Sequence, residues 1–239
     1  MISSAHYKPQ FIALKEASDI GIYATGQKLL DFGCGSGYLA EQYSHEATKV
    51  VAYDLRTCDT WKTIKKVQFT TSIIDVQNEA TYDRIIINDV FDHIETPQTW
   101  TEDLSAYQKN VLNSLTPLLT YGGTLTLVIH PWTSRYGAHL PGDKVYYHLT
   151  ALGSYLDNLN DNKVPLTHMI LKAQDYYAKC IEESNLKIIN TVVDRKYLEP
   201  FEYKHLFPTI LHNFRNMAGE HDLLDILSVN KIYFTLTHR

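Results

Sequence analysis

Residues 28–38 read KLLDFGCGSGY. Glycines stand at 33, 35 and 37, and an aspartate, Asp31, lies two places before the first of them. An apolar run that breaks into such a loop and continues into GYLAEQYSHE (37–46), a stretch of helical character, predicts a strand, a tight turn and a helix. The alternation carries on downstream. KVVAYDL (49–55) predicts a second strand, TWKTIKK (60–66) a short helix, VQFTTSII (67–74) a third strand and YDRIIIND (82–89) a fourth. Between Thr101 and Leu119 the residues Leu104, Val111, Leu112, Leu115 and Leu118 fall at helical spacing, and Gly122-Gly123 then turns into TLTLVIH (124–130), a fifth strand. DYYAKCIEESN (175–185) predicts a helix, LKIINTVVD (186–194) a sixth strand and KIYFTLTHR (231–239) the last. Strands that alternate with helices predict an α/β fold built on a parallel sheet.

The 239 residues show no internal repeat, low-complexity tract or Pro/Gly linker, so a single domain is expected over 1–239. Residues 1–26 are expected to form one or two cap helices before the sheet. The segments 131–168, rich in aromatic residues and histidine, and 200–228 are expected to be lid-like insertions. Hydrophobic residues at 44% suffice for a large core, and the net charge of -5 leaves no basic field to hold a nucleic-acid backbone. The nearest basic run, KTIKK at 62–66, reads as the solvated face of a helix. Cys34, Cys58 and Cys180 are odd in number and far apart, which suits neither a disulfide framework nor a metal site. No secretory leader pattern opens the sequence, and no apolar run nears the roughly 20 residues needed to span a bilayer. A reducing, cytoplasmic setting is the expectation.

The glycine spacing narrows the ligand. A dinucleotide loop has the pattern G-x-G-x-x-G, whereas here the third glycine comes one place earlier and Tyr38 follows it. A phosphate-binding Walker loop ends in Gly-Lys-Ser/Thr, which is absent. Asp31 decides the matter, because a carboxylate there opposes a pyrophosphate and suits an ammonium group. The loop fits a nucleoside that carries a zwitterion.

KLLDFGCGSG resembles motif I of the class I S-adenosylmethionine-dependent methyltransferases, apolar-D-x-G-x-G-x-G. Three further stretches follow in the family's order. YDL (53–55) puts Asp54 at the end of the second strand, YDRIIINDVFDHIE (82–95) is similar to the fourth-strand motif "FD-apolar-DVLEHI", and LLTYGGTLTLVI (118–129) is similar to "LKPGGxLxI". Taken singly each is an ordinary turn or cap; the ordered set over residues 28–130 carries the resemblance. It implies a Rossmann-like seven-stranded, mostly parallel sheet with helices on both faces and an antiparallel last strand, with S-adenosylmethionine as cofactor. It also implies that Asp31, Gly33, Cys34, Gly35 and Gly37 cradle the methionine end, and that Asp54, followed by Leu55, accepts the ribose hydroxyls. Asn88 and Asp89, at the end of the fourth strand, are counted on that resemblance among the cofactor-binding residues. Where the family often has an acid for the adenine amino group, this chain has Ser72 or Ile73, with Asp75 the nearest carboxylate. Backbone and side chains of Ile73 and Ile74 are expected to serve instead.

The acceptor is expected at the carboxyl ends of the fourth and fifth strands. HPWTSRYGAHL (130–140) resembles the "SPYGHHL" lid segment of a small-molecule subgroup, with Arg135 for its proline and Ala138 for a variable histidine. On that resemblance His139 is the candidate base or orienting group, with Tyr136 and His130 beside it and His93 as competitor. Trp132, Tyr146 and Tyr147 are candidates to line the pocket, and also candidates for core. NDVF (88–91) is not the (D/N)PP(Y/F) of amino-methylating enzymes on nucleic acid, so a small-molecule acceptor is expected. Three competitors are a cofactor-binding scaffold without turnover, an aminopropyl transferase, and a nicotinamide-dependent oxidoreductase. The second lacks its acidic cluster, and Asp31 opposes the third.

Overall fold

The computed structural model of the chain describes residues 24–91, 104–130, 174–195 and 229–239. The expected N-terminal cap helices up to residue 23 and both lid-like insertions lie outside these residues. Along the chain come β1 (Lys28–Phe32), α1 (Tyr38–Tyr43), β2 (Lys49–Tyr53), β3 (Val67–Thr70), α2 (Ile73–Asn78) and β4 (Tyr82–Asn88). They are followed by α3 (Leu104–Leu115), β5 (Leu119–Ile129), α4 (Gln174–Glu182), β6 (Leu186–Arg195) and β7 (Val229–His238).

The seven strands make one sheet in the order β3-β2-β1-β4-β5-β7-β6. β1 runs parallel to β2, from Lys28 opposite Lys49 to Phe32 opposite Tyr53, and parallel to β4, with Asp31 opposite Ile86. β2 with β3 and β4 with β5 are also parallel, and only β7 runs antiparallel to its neighbours, β5 and β6. The expected sheet, with its reversed last strand, is the one observed.

Successive side chains of a strand point to opposite faces, and these strands are buried on both. Leu29, Val50, Ala52 and Ile86 pack on one face with Leu39, Ala40 and Tyr43 of α1. Leu30, Val51, Tyr53, Ile85 and Ile87 pack on the other with Val76 of α2, Leu112 and Leu115 of α3, and Tyr177 and Ile181 of α4. Each buried Leu or Ile contributes about 1.5–3 kcal/mol, so the near-continuous apolar runs of β1, β2 and β4 are the main source of stability. Inside this packing, the Gln108 side-chain amide donates to the Phe91 carbonyl at 2.9 Å, which ties α3 to the exit of β4.

Three local expectations are corrected. The third strand stops at Thr70, and Ile73 and Ile74 open α2 instead of ending β3. Polar side chains force the change: Ser72 Oγ accepts the Asp75 N–H at 3.3 Å, Thr70 Oγ1 accepts the Ser72 N–H at 3.0 Å, and Thr70 Oγ1 donates to Asp75 Oδ2 at 2.7 Å. Of the stretch 60–66 expected as a helix, only the single 3-10 turn Asp59–Lys62 forms. Gly122-Gly123 does not precede the fifth strand but lies inside it. Tyr82 pairs with Leu119 and Arg84 with Thr124, so residues 120–123 bulge opposite Asp83. Among the described residues, no helix is long and apolar enough to cross a membrane.

Candidate functional site

β1 stops because the chain must leave the sheet, and Tyr53 receives it. The backbone N–H groups of Gly33 and Cys34 both donate to the Tyr53 carbonyl, at 2.7 and 3.0 Å, and the Gly37 N–H donates to the Cys34 carbonyl at 2.8 Å. The loop is thus wound against the end of β2 before α1 begins. Gly37 has φ +81°, and a Cβ there would sit 2.5 Å from the Phe69 ring, so a side chain is excluded on two counts. Gly35, with φ +50°, faces the opposite situation: a Cβ would meet nothing within 4 Å. The tip of the loop borders open space, while its two ends are packed.

Asp31 is only 2% exposed, at the carboxyl end of β1. Asp54, which follows β2, uses Oδ2 to accept the Gly35 N–H at 2.8 Å and Oδ1 to accept the Arg56 N–H at 3.2 Å. Both carboxylates are felt between them. Burial first, then the charges of Asp31 and Asp54, push the Cys34 thiol upward, so it stays protonated. The loop region therefore carries a negative field, the sign that welcomes a cationic group.

Two unforeseen side chains fasten the loop from outside. Trp61 Nε1 donates to the Gly35 carbonyl at 2.9 Å, and Thr60 Oγ1 donates to the Ser36 carbonyl at 2.5 Å. The Trp61 ring stacks on Phe69, the ring that fills the space at Gly37, with centroids 4.8 Å apart and planes 12° from parallel. Leu55, next to Asp54, is 81% exposed just past β2. Ile74 is 62% exposed and Ile73 less so, just past β3, the parallel neighbour of β2. Large apolar side chains left in water at adjoining strand ends make a surface on which a flat heterocycle could rest. Asp75 is committed to Thr70 and to the turn that starts α2.

Asn88 and Asp89 lie across the switch in strand order, at the end of β4. Asp89 takes φ +54°, a left-handed conformation that aspartate tolerates, while its N–H donates to the Val128 carbonyl at 3.0 Å. Its side chain meets β5 and β7 rather than the glycine loop: Oδ2 is 2.6 Å from Lys231 Nζ and Oδ1 is 3.4 Å from His130 Nε2. Burial raises the Asp89 carboxyl, but the hydrogen bond and charge of His130 and the charge of Lys231 outweigh it and hold the group at about 2.

The structure thus brings Asp31, Gly33, Cys34, Gly35, Gly37 and Asp54 into one cradle, with Leu55, Ile73 and Ile74 on its β2–β3 flank. Asp89 joins His130 on the β5 side. His93, Tyr136 and His139, with Trp132, Tyr146 and Tyr147, lie outside the described residues. Thr60, Trp61 and Lys231 were missed. Nothing in the local pattern marks the first two, whose partners stand 24 and 26 residues away. The partner of Lys231, Asp89, stands 142 residues away. Among the described residues, no group of three or more His, Cys, Asp or Glu side chains could hold a metal ion.

The model of the methyltransferase domain family matches residues 10–191. A search of curated protein sequences returns no match. Solved structures share the fold at low identity. Magnesium protoporphyrin IX methyltransferase (ChlM) from Synechocystis PCC 6803, with bound SAH, is 13% identical, with 96% of this chain and 83% of that one covered and a TM-score of 0.56. A putative S-adenosylmethionine-dependent methyltransferase from Listeria monocytogenes is 11% identical over 95% of this chain and 98% of that one, at 0.54. The N-methyltransferase NodS from Bradyrhizobium japonicum WM9 is 10% identical over 97% and 98%, at 0.52.

Proposed function

Since this chain belongs to the methyltransferase domain family, we propose that it moves a methyl group from S-adenosylmethionine to a small-molecule acceptor, at an oxygen, nitrogen or carbon atom. The observation that carries the reading is the cradle itself. A buried carboxylate on β1, a second on the exit of β2, and a glycine tip open to solvent stand together at the carboxyl ends of parallel strands. These residues fit S-adenosylmethionine, whose ammonium suits Asp31 and whose ribose hydroxyls suit Asp54. A carboxylate has about four lone-pair sites, so Asp54 can accept the hydroxyls while keeping its bonds to Gly35 and Arg56. Leu55 and Ile74 would cover the adenine face.

When bound, the cofactor supplies a methyl group on a sulfonium, a leaving group already activated. The chain's task is then alignment, and holding two reactants in line can supply roughly 7–11 kcal/mol of a barrier. Asn88 and Asp89 border the cradle at β4, and the acceptor belongs beyond them, over β4 and β5. For an acceptor that must shed a proton, a histidine is the natural base. His139 is our candidate, with Tyr136 and His130 as its neighbours in sequence and His93 as the competitor. A small acceptor is supported by the acidic net charge of -5 and by the small tetrapyrrole named for ChlM.

Calorimetric titration with S-adenosylmethionine, S-adenosylhomocysteine and NAD tests the reading. Micromolar binding of the two sulfur nucleosides with no heat from NAD is expected, and silence from both sulfur nucleosides would refute it. Asp54→Ala should weaken the affinity about tenfold or more, because it removes the ribose acceptor and loosens Gly35 together. His139→Ala should lower turnover about 100-fold or more while S-adenosylhomocysteine affinity stays within twofold. Unchanged turnover would remove His139 from the chemistry.

A further inference from the structure

No residue of the turn Asp59–Lys62 is fully buried, and Trp61 packs only at the edge of the core beside Phe69. Its side chains also reach the glycine loop. The backbone of Gly35 is held at both of its polar groups: its N–H by Asp54 at 2.8 Å and its C=O by Trp61 at 2.9 Å. The next carbonyl, Ser36, is held by Thr60. Trp61 is in turn fixed by its stack on Phe69, which also occupies the space a side chain at Gly37 would need. Three of these fastenings come from one side of the β2–β3 connection, and all are present without ligand. A glycine tip that borders open space has many conformations to lose, and fixing one residue's backbone costs about 1–2 kcal/mol. Fastenings made beforehand spare the ligand that cost.

We propose that Thr60 and Trp61 are positioning residues for the cofactor: they hold the Gly35–Ser36 backbone in its binding shape without touching the ligand. This rests on the function proposed above. Asp54 then has two duties, as ligand acceptor and as the inner jaw of the same clamp. The β2–β3 connection sets cofactor affinity from outside the pocket, and Phe69 is the surface that keeps the outer jaw in register.

The test separates each hydrogen bond from packing. Trp61→Phe keeps an aromatic ring on Phe69 and removes the N–H; Thr60→Val keeps the shape and removes the hydroxyl; Thr60→Ser restores the hydroxyl. The full chain is titrated with S-adenosylhomocysteine, and hydrogen–deuterium exchange is followed in the ligand-free protein over residues 32–38. We expect Kd to rise about three- to tenfold in Trp61→Phe and in Thr60→Val, and to return close to the wild-type value in Thr60→Ser. Loop exchange should speed up in the same two variants, while the ligand-free melting midpoint stays within about 2 °C. Kd within twofold of wild type in both variants overturns the proposal, whatever the exchange shows. So does a fall in melting midpoint with affinity unchanged, which would make the contacts structural only. If one variant fails to fold, the other decides. Failure of the wild-type protein to bind would instead sink the function reading, and unchanged exchange in the variants would sink the clamp separately.

Discussion

Asp31→Asn is expected to weaken S-adenosylhomocysteine binding by about 100-fold, or about 2.7 kcal/mol. The side chain is 2% exposed on β1, with Ala52 and Ile86 as its strand neighbours. An ammonium placed against it would be largely desolvated, and removing one partner of such a charge pair costs about 2–5 kcal/mol. Asparagine preserves the shape and removes the charge. A collapse in affinity is the expected result. Calorimetry measures it, and a change in Kd of twofold or less would remove Asp31 from the site.

Lys231→Met should have the largest effect on stability. The Lys231 side chain is 9% exposed, and its Nζ sits 2.6 Å from Oδ2 of Asp89, whose side chain is 25% exposed. Methionine fills the space but leaves a carboxylate without its close cation, and truncating one side of such a pair costs roughly 3 kcal/mol. For a domain of this size that is about 6–12 °C in melting midpoint. Adding Asp89→Asn should return a good part of the loss, since the uncompensated charge is then gone. Recovery of nothing would show that lysine acts through packing alone. The effect also depends on pH, with a definite sign. The folded value of Asp89, at about 2, lies below its ordinary 3.8, so its stabilising contribution is complete above 3.8 and is lost as pH falls from there toward 2. The gap between wild type and Lys231→Met in urea melts should therefore narrow as pH falls from about 4 toward 2.

The cradle was legible in the sequence because its chemistry is local. Asp31, Gly33, Gly35 and Gly37 lie within seven positions, and Asp54 ends an apolar run whose strand character is plain. The sheet was legible for the same reason, since runs such as KVVAY and RIII admit few alternatives. What escaped depends on contacts between distant residues. The end of β3 was placed too late because apolar Ile73 and Ile74 look like strand, while Ser72 and Thr70 decide for helix through side-chain bonds. The stretch around Trp61 predicts no more than a short helix, because its partner, the carbonyl of Gly35, carries no signature. The Lys231–Asp89 pair spans 142 residues, beyond any local pattern.

The place of β7 in the sheet has a consequence for synthesis. It is the last strand in chain order, yet it lies between β5 and β6 and pairs with both, from Ile129 opposite Ile232 to Leu125 opposite Leu236 on one side. β1 to β5 can assemble as the chain emerges, but β5 must wait with an open edge, and β6 unpaired, until residues from 229 onward appear. An exposed strand edge is a template for the wrong partner. The nascent chain is therefore most vulnerable to aggregation before β7 emerges, when the cofactor half is already folded and β6 still has no strand to join.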